Sequence, residues 1–263
     1  MRQRGPKPLL LDSEIITMQV VGEFLGIDGD KNIWEYFGRN WLNLFPRIGD
    51  RTTFVKQAKN IWYWTQRLQE VIAAQLSAKS DVLHITDGFP IPVAHFKRAY
   101  FSRVFKGQAA YGFCAAKSEK YYGFKGHIVI NSIGVVSGFT FAPANIDERD
   151  VLPENVFGLS GIILGDKGLM RPSLSEELAE KGLHLQHPVR SNMLEERSEK
   201  NLVWMKSTRR LVETVIGQLA ERFKIEKTRA RNLFRLQDKN IECLNVRGIR
   251  IACGWPNKHG VTK

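Results

Sequence analysis

The sequence predicts a mixed α/β chain, with an all-α N-terminal region ahead of a mixed sheet flanked by helices. Three observations predict it. Apolar residues recur at helical spacing from Glu14 to about Leu76 and then stop. Beyond Ala78–Ser80, short apolar runs bounded by glycine, proline and asparagine take over. Those runs come first in a hairpin series and then alternate with helical stretches, as in a sheet covered by helices.

The helices come first. Asp12 and Ser13 can cap a helix from Glu14 to about Leu25, which Gly26 ends. Asp30 opens a second, through Ile33, Trp34, Phe37, Trp41 and Leu44, which Pro46 stops. Arg51-Thr52-Thr53 starts a third that runs through Ile61, Trp62, Leu68 and Ile72 to Leu76. Three helices with a short turn before the third resemble a helix-turn-helix. In that reading Arg51, Thr52, Thr53, Lys56, Gln57 and Lys59 face DNA. The alternative is a plain helical bundle with solvated cations. Trp34, Trp41, Trp62 and Trp64 read as core residues rather than as base-stacking platforms.

The strands follow. Val82–Thr86 is a short apolar run ending at Asp87-Gly88. Tyr121–Asn131 and Val135–Phe141 are two more, with Ser132-Ile133-Gly134 as a hairpin turn between them. Glu148–Val156 reads as a short helix. Gly161–Gly165 is an apolar run that again ends in an acid, Asp166. Ser173–Lys181 reads as a helix, Leu183–Val189 as a strand and Ser207–Phe223 as an amphipathic helix. The expected divisions are 1–79 (helical), 80–235 (catalytic) and 236–263 (an irregular basic tail, where Gly248, Gly254, Pro256 and Gly260 interrupt any helix).

Composition narrows the function. The 263 residues are 43% hydrophobic, enough for one large core or two modest ones. Lys and Arg number 39 against 27 Asp and Glu, a formal net charge of +12. Enzymes of small anionic metabolites rarely need that excess, whereas a protein lying along a phosphate backbone does. Cys114, Cys243 and Cys253 are odd in number and far apart, which excludes a disulfide framework or zinc knuckle and suits a reducing cytoplasm. Met1–Leu11 lacks the apolar core of a signal peptide. No apolar run approaches the ~20 residues that cross a bilayer. A cytoplasmic protein with no membrane partner is the expectation.

The chemistry points to carboxylates. Two apolar strands end in Asp87-Gly88 and Asp166-Lys167-Gly168, and a third acid, Glu213, lies among Leu211, Val212, Val215 and Ile216. That setting places Glu213 at or near the buried side of its helix, where acids rarely sit without a cation. Phosphodiester cleavage and strand transfer use two divalent ions about 3.5–4 Å apart. Mg²⁺ is a hard ion that takes oxygen ligands. Singly, each acid has an ordinary explanation, as a turn residue, a helix cap or an ion-pair partner.

Four stretches in order carry a resemblance. They are Ile85-Thr86-Asp87-Gly88-Phe89-Pro90-Ile91-Pro92-Val93, then Gly112–Lys117 with Tyr121–His127, then Leu164-Gly165-Asp166-Lys167-Gly168, and last Arg209–Leu219. Asp166 follows Asp87 by 79 positions (166 − 87) and Glu213 follows Asp166 by 47 (213 − 166). From about Leu11 to Leu233 the chain resembles DDE transposases of bacterial insertion sequences. The resemblance implies a ribonuclease-H-like catalytic domain with Asp87, Asp166 and Glu213 as catalytic and metal-binding residues. It implies two Mg²⁺ or Mn²⁺ ions, double-stranded DNA partners (terminal inverted repeats and target), a homo-oligomer on DNA and a bacterial, nucleoid-associated location. It also implies a clipped N-terminal region and an altered end after Leu233, where the family continues as an apolar helix. Two other readings stay open: a nuclease of the same fold, and a DNA-binding remnant without catalysis.

Cations complete the picture. Arg209 and Arg210 precede Glu213 by one helical turn and can orient it or meet a phosphate. Lys167 and Lys125 are placed for DNA contact near the acids, with Arg51 and Lys56 for the helical region. His127 reads as structural. Lys97, Arg98, Arg103 and Lys106 are interleaved with Phe96, Tyr100, Phe101 and Phe105, which suits DNA or an anchored surface loop. The run Arg222, Lys224, Lys227, Arg229, Arg231 and Arg235 reads as a DNA-tracking helix or a solvated face.

Overall fold

The computed structural model describes residues 8–27, 29–115, 117–189, 197–227 and 230–253. They form two compact units, Met1–Glu70 with Gln237–Lys263, and Val71–Leu236.

The helical unit starts with α1 (Asp12–Leu25), α2 (Asp30–Asn40), α3 (Arg51–Asn60) and the larger part of α4 (Trp62–Gln75). The Glu14 carboxylate accepts from the Leu11 amide at 2.6 Å, satisfying an amide that precedes the first turn. Gly26 closes α1 in the left-handed region at φ 76°. Asp50 caps α3 by accepting from the Thr53 amide at 2.9 Å. Ile15, Met18, Ile33, Phe37, Phe54 and Ile61 form the centre of its core.

Five expectations change here. α2 stops at Asn40, and Phe45 beyond it turns back into the core. Residues 41–50 therefore separate α2 from α3, longer than the three or four residues of a helix-turn-helix. The single helix expected from Arg51 to Leu76 breaks at Ile61. That residue leaves helical geometry (φ −97°, ψ 8°) to bury its side chain, and its carbonyl accepts from the Trp64 and Thr65 amides. Trp34 is half-buried, with its indole donating to the Gly49 carbonyl, but Trp41, Trp62 and Trp64 are exposed because of these two breaks. Gln57 does not face DNA: it is buried and donates to the Leu10 carbonyl and the Asp12 carboxylate.

The second unit is built on β1 (Leu83–Ala94), β2 (Ala110–Cys114), β3 (Glu119–Asn131), β4 (Val136–Pro143), β5 (Gly161–Leu164) and β6 (Leu183–Gln186). Its sheet order is β2-β3-β1-β5-β6, and β4 pairs with β3. β1, β3 and β4 are antiparallel in turn, while β5 and β6 run parallel to β1. This mixed sheet is the ribonuclease-H-like arrangement that the resemblance implies. β2 is an addition that pairs with the first residues of β3, ahead of β4.

Helices cover both faces. α5 (Glu148–Asn155) and α6 (Pro172–Glu180) share a core with Val129, Ile163, Leu183 and Leu185. α7 (Glu199–Glu221) packs on β1 and buries Val212, Val215 and Leu219 completely. Each such side chain stabilises the fold by about 2 kcal/mol. α7 begins earlier than expected, because the Ser198 hydroxyl caps it by accepting from the Asn201 amide.

Two strand boundaries matter for the site. β1 does not end at Asp87 but runs on through Pro90 and Pro92 to Ala94. Its parallel pairing with β5 stops at Ile85 and Leu164, so the later half has only β3 beside it, and proline is tolerated on an edge.

The basic run after α7 is not one helix. It contains a 3-10 turn at Ile225–Lys227 and Lys224 at φ 52°, and Arg229 lies outside the described residues. The irregular tail is also corrected: α8 (Leu233–Ala252) is a helix that passes through Gly248. From Gln237 on it belongs to the helical unit. Its buried side mixes Cys243, Leu244 and Val246 with polar residues, several of them paired within the unit. Glu242 accepts from Gln19 at 2.9 Å, Asn245 donates to the Thr65 carbonyl at 2.8 Å, and Lys239 is ion-paired with buried Glu23. Gly254, Pro256 and Gly260 lie outside the described residues.

Candidate active site

The forked sheet positions two carboxylates together. Asp87 on β1 and Asp166 just beyond the end of β5 each stand two residues past the last parallel pair, Ile85 with Leu164. Both line one small cavity with Thr86, His127, Glu148 and Leu169. Backbone amides fix one oxygen of each: Gly88 donates to Asp87 at 2.8 Å, and Lys167 donates to Asp166 at 2.7 Å.

The two acids differ in electrostatics. Burial pushes the Asp87 carboxyl up to about 6. The Gly88 amide and the Arg209 guanidinium oppose that shift, and the charges of Glu148 and Asp166 reinforce it. Asp166 is half-exposed, and Arg209 Nη1 lies 3.6 Å from its Oδ1. Arg209 thus acts on Asp166 and Asp87, partners beyond the Glu213 and phosphate roles expected of it.

Glu213 is placed differently. It is exposed rather than on the buried side of α7, because Val212 and Val215 take the face against the sheet. It lines an open concavity with Leu202, Met205, Lys206, Arg209 and Arg210. Arg209 stands between the two places, one turn from Glu213 and in ion-pair range of Asp166. Among the described residues, no three His, Cys, Asp or Glu side chains converge tightly enough to hold a metal ion.

Glu148 is the acid the sequence reading missed. It opens α5 just after the capping residue Asp147, so in sequence it looks like an ordinary first-turn acid favoured by the helix dipole. In the fold it reaches the Asp87 cavity and pairs with Lys125. Gly88 makes room for that pair: a Cβ there would lie 2.7 Å from Glu148 Oε1 and 2.8 Å from Lys125 Cε. Lys125 is therefore engaged with Glu148 within the site. His127 also lines the cavity, with a buried Nε2 that has no hydrogen-bond partner. Burial lowers its imidazole to about 4, which keeps it neutral.

The other expected contacts lie apart. Lys167 and Arg210 are exposed near the acids, and Arg51 and Lys56 are exposed on α3 of the helical unit. The cysteines are all free. No described helix is long and apolar enough to cross a membrane.

The comparisons with known proteins follow from this geometry. No curated protein matches the sequence. Among solved structures, the crystal structure of the Mos1 strand transfer complex aligns at 10% identity over 97% of this chain and 80% of that one, with a TM-score of 0.25. At that score the fold rests on the sheet order itself. A family model described as the transposase DDE domain matches residues 77–233, more than half of the chain. That span starts before β1, holds Asp87, Asp166 and α7, and ends as α8 begins, so the chain belongs to the transposase DDE domain family.

Proposed function

We propose that the chain is a DNA transposase that cuts and rejoins insertion-sequence ends with divalent cations held at Asp87 and Asp166. The observation that carries this is the pair itself: one carboxylate on β1 and one just past the end of the neighbouring parallel strand β5, the first desolvated and burdened by like charge. Such a pair gains most from a cation. The donors fit Mg²⁺ or Mn²⁺, since Asp87, Asp166 and Glu148 offer hard carboxylate oxygens and no thiolate lies among the cavity residues. Two such ions, when bound, polarise a phosphodiester and make a water or 3′-hydroxyl nucleophilic at neutral pH.

The chain's own residues do the rest. Gly88 and Lys167 amides aim the carboxylates, and Arg209 neutralises Asp166. Lys167, Lys206 and Arg210 are exposed cations for phosphates of the DNA. Glu213, one turn beyond Arg209, serves as the third carboxylate, entering from the adjoining concavity. A second reading gives that role to Glu148, because it already lines the cavity. Double-stranded element ends and target DNA are the substrates, bound by a homo-oligomer, with Arg51 and Lys56 on α3 adding contacts.

The test is a cleavage and strand-transfer assay on element-end DNA with Mg²⁺, comparing the full chain with Asp166→Ala. Cutting and joining by the wild type alone supports the reading. Equal activity in both removes the metal site. Cutting without joining leaves a nuclease, and no activity in either leaves a remnant.

A further inference from the structure

Between β1 and β3 the chain inserts residues 95–118, which the catalytic sheet does not need for its order. The insertion is anchored by two buried residues, Ala99 and Phe105, and by the short strand β2. What it leaves outside is chemically selective. Tyr100 and Phe101 are 83% and 81% exposed, and Phe113 is 61% exposed. Phe96 and Tyr111 are also exposed and meet edge to face at 5.6 Å.

Aliphatic residues are nearly missing from this surface: Val104 is half-buried and no Leu, Ile or Met occurs between 95 and 118. An interface that excludes water by aliphatic packing would not be built this way. The outward face of β2 alternates as a strand should, with Tyr111 and Phe113 out and Gly112 in. Gly112 is required there, since a Cβ would sit 2.7 Å from that of Ala144. The rings are therefore held by a strand that has little freedom to turn.

Charge agrees with the rings. Lys97, Arg98, Arg103 and Lys106 are exposed, and no ion pair engages them among the described residues. Lys120 pairs across the ladder with Phe113, setting a cation beside an exposed ring. Glu119 is the one acid between 95 and 120. Cations track phosphates, while exposed rings have no use for the stacked interior of a duplex. Together they suit nucleotides whose bases are unpaired, because every base offers a π-face.

We infer that the 95–118 insertion is a stacking platform for unpaired bases in the DNA that this chain processes. It rests on the transposase reading for the identity of that DNA. It adds that the bound end is locally opened, and that Tyr100, Phe101 and Phe113 receive its bases.

The experiment measures binding of the full chain to three labelled DNAs by fluorescence anisotropy: duplex, the same duplex with a frayed end, and single strand. Wild type is compared with Tyr100→Ala/Phe101→Ala and with Phe101→Leu, which keeps apolar bulk but loses the ring. Both positions are so exposed that folding is unaffected, which circular dichroism checks. The expected result is tighter binding of frayed than blunt duplex by wild type. The double variant should lose about tenfold or more on frayed and single-stranded DNA, with duplex binding within about twofold. Phe101→Leu should lose part of the same preference.

Equal binding of all three DNAs by wild type and variants overturns the inference while leaving a duplex-binding transposase intact. A change in oligomeric state instead of DNA affinity also overturns it and makes the patch a contact between copies. Failure of the wild type to bind any of the DNAs overturns the transposase reading as well.

Discussion

Asp87 and Asp166 sit at matching positions, each two residues past the last paired rung of the parallel strands β1 and β5, Asp87 on β1 and Asp166 just beyond the end of β5. The fork in the sheet makes this possible, because β5 ends where β1 continues. Carboxylates at such a fork are fixed by strands on one side and open to ligand on the other. Replacing Asp87 by Asn removes a buried charge that the metal-free protein holds at a cost. Asp87→Asn is expected to raise the melting temperature of the metal-free protein at pH 7 and to abolish any further rise on adding Mg²⁺. Differential scanning calorimetry with and without the ion checks both.

The pH dependence of the metal-free protein follows from two opposed groups. Asp87 has its folded value raised to about 6, so its share of stability is full below its unfolded value of 3.8 and is lost as pH rises through 6. His127 has its folded value lowered to about 4, so its share is full above 6.5 and is lost as pH falls through 4. Between pH 4 and 6 the two slopes oppose and the net change is small. Asp87→Asn should expose a loss of stability on acidification, and His127→Gln should expose a gain, each about 2–3 kcal/mol at most across the window. Urea unfolding at half-unit pH steps reads both signs.

Arg209 ties α7 to the aspartates through Asp166 and through its favourable field at Asp87. Arg209→Ala should push the Asp87 carboxyl higher still and move the acid limb of the Mg²⁺-dependent cleavage profile to higher pH. Activity at neutral pH should drop on the order of tenfold, typical for residues that orient metal ligands. Arg209→Lys should restore part of it.

Two glycines separate crowding by side chain from crowding by backbone. A Cβ at Gly138 would lie 2.2 Å from the Asn155 carbonyl oxygen, the end of α5, which cannot move without lifting the helix. Gly138→Ala should cost about 3 kcal/mol. At Gly88 the obstacles are the ends of Glu148 and Lys125, which can swing away. Gly88→Ala should cost about 1 kcal/mol or less, yet displace Glu148 from the cavity. Denaturant titrations rank the two.

α8 closes the helical unit by polar contacts, and Glu23 depends on it: its carboxylate is 5% exposed and paired with Lys239. Lys239→Met strands that charge and should destabilise the protein by about 3 kcal/mol. An unchanged denaturant midpoint would count against α8 belonging to this unit.

The legibility of the sequence followed the periodicity. α1, α2, β3, β4, α5, β5 and α6 were readable because apolar spacing and turn residues agreed with the final packing. β1 was read short, since Pro90 and Pro92 argue against a strand unless its neighbour has ended. The break at Ile61 was invisible because the apolar pattern runs straight across it. α8 was obscured because Gly248 and buried polar residues such as Glu242 interrupt the apolar pattern of Cys243, Leu244 and Val246. Asp87 and Asp166 were legible as acids after apolar strands. Glu148 was not, because a first-turn glutamate usually answers only to its own helix. Glu213 was placed on the wrong face because apolar neighbours on both sides do not say which flank of the helix is covered.

The central claim is that Asp87 and Asp166 together hold divalent cations. Isothermal titration of the metal-free protein with Mn²⁺ tests it most directly, with Asp166→Ala, Glu148→Gln and Glu213→Gln alongside. Binding by wild type that is lost in Asp166→Ala is the expected result, and whichever glutamine variant weakens it names the third carboxylate. Undiminished binding by Asp166→Ala would contradict the account.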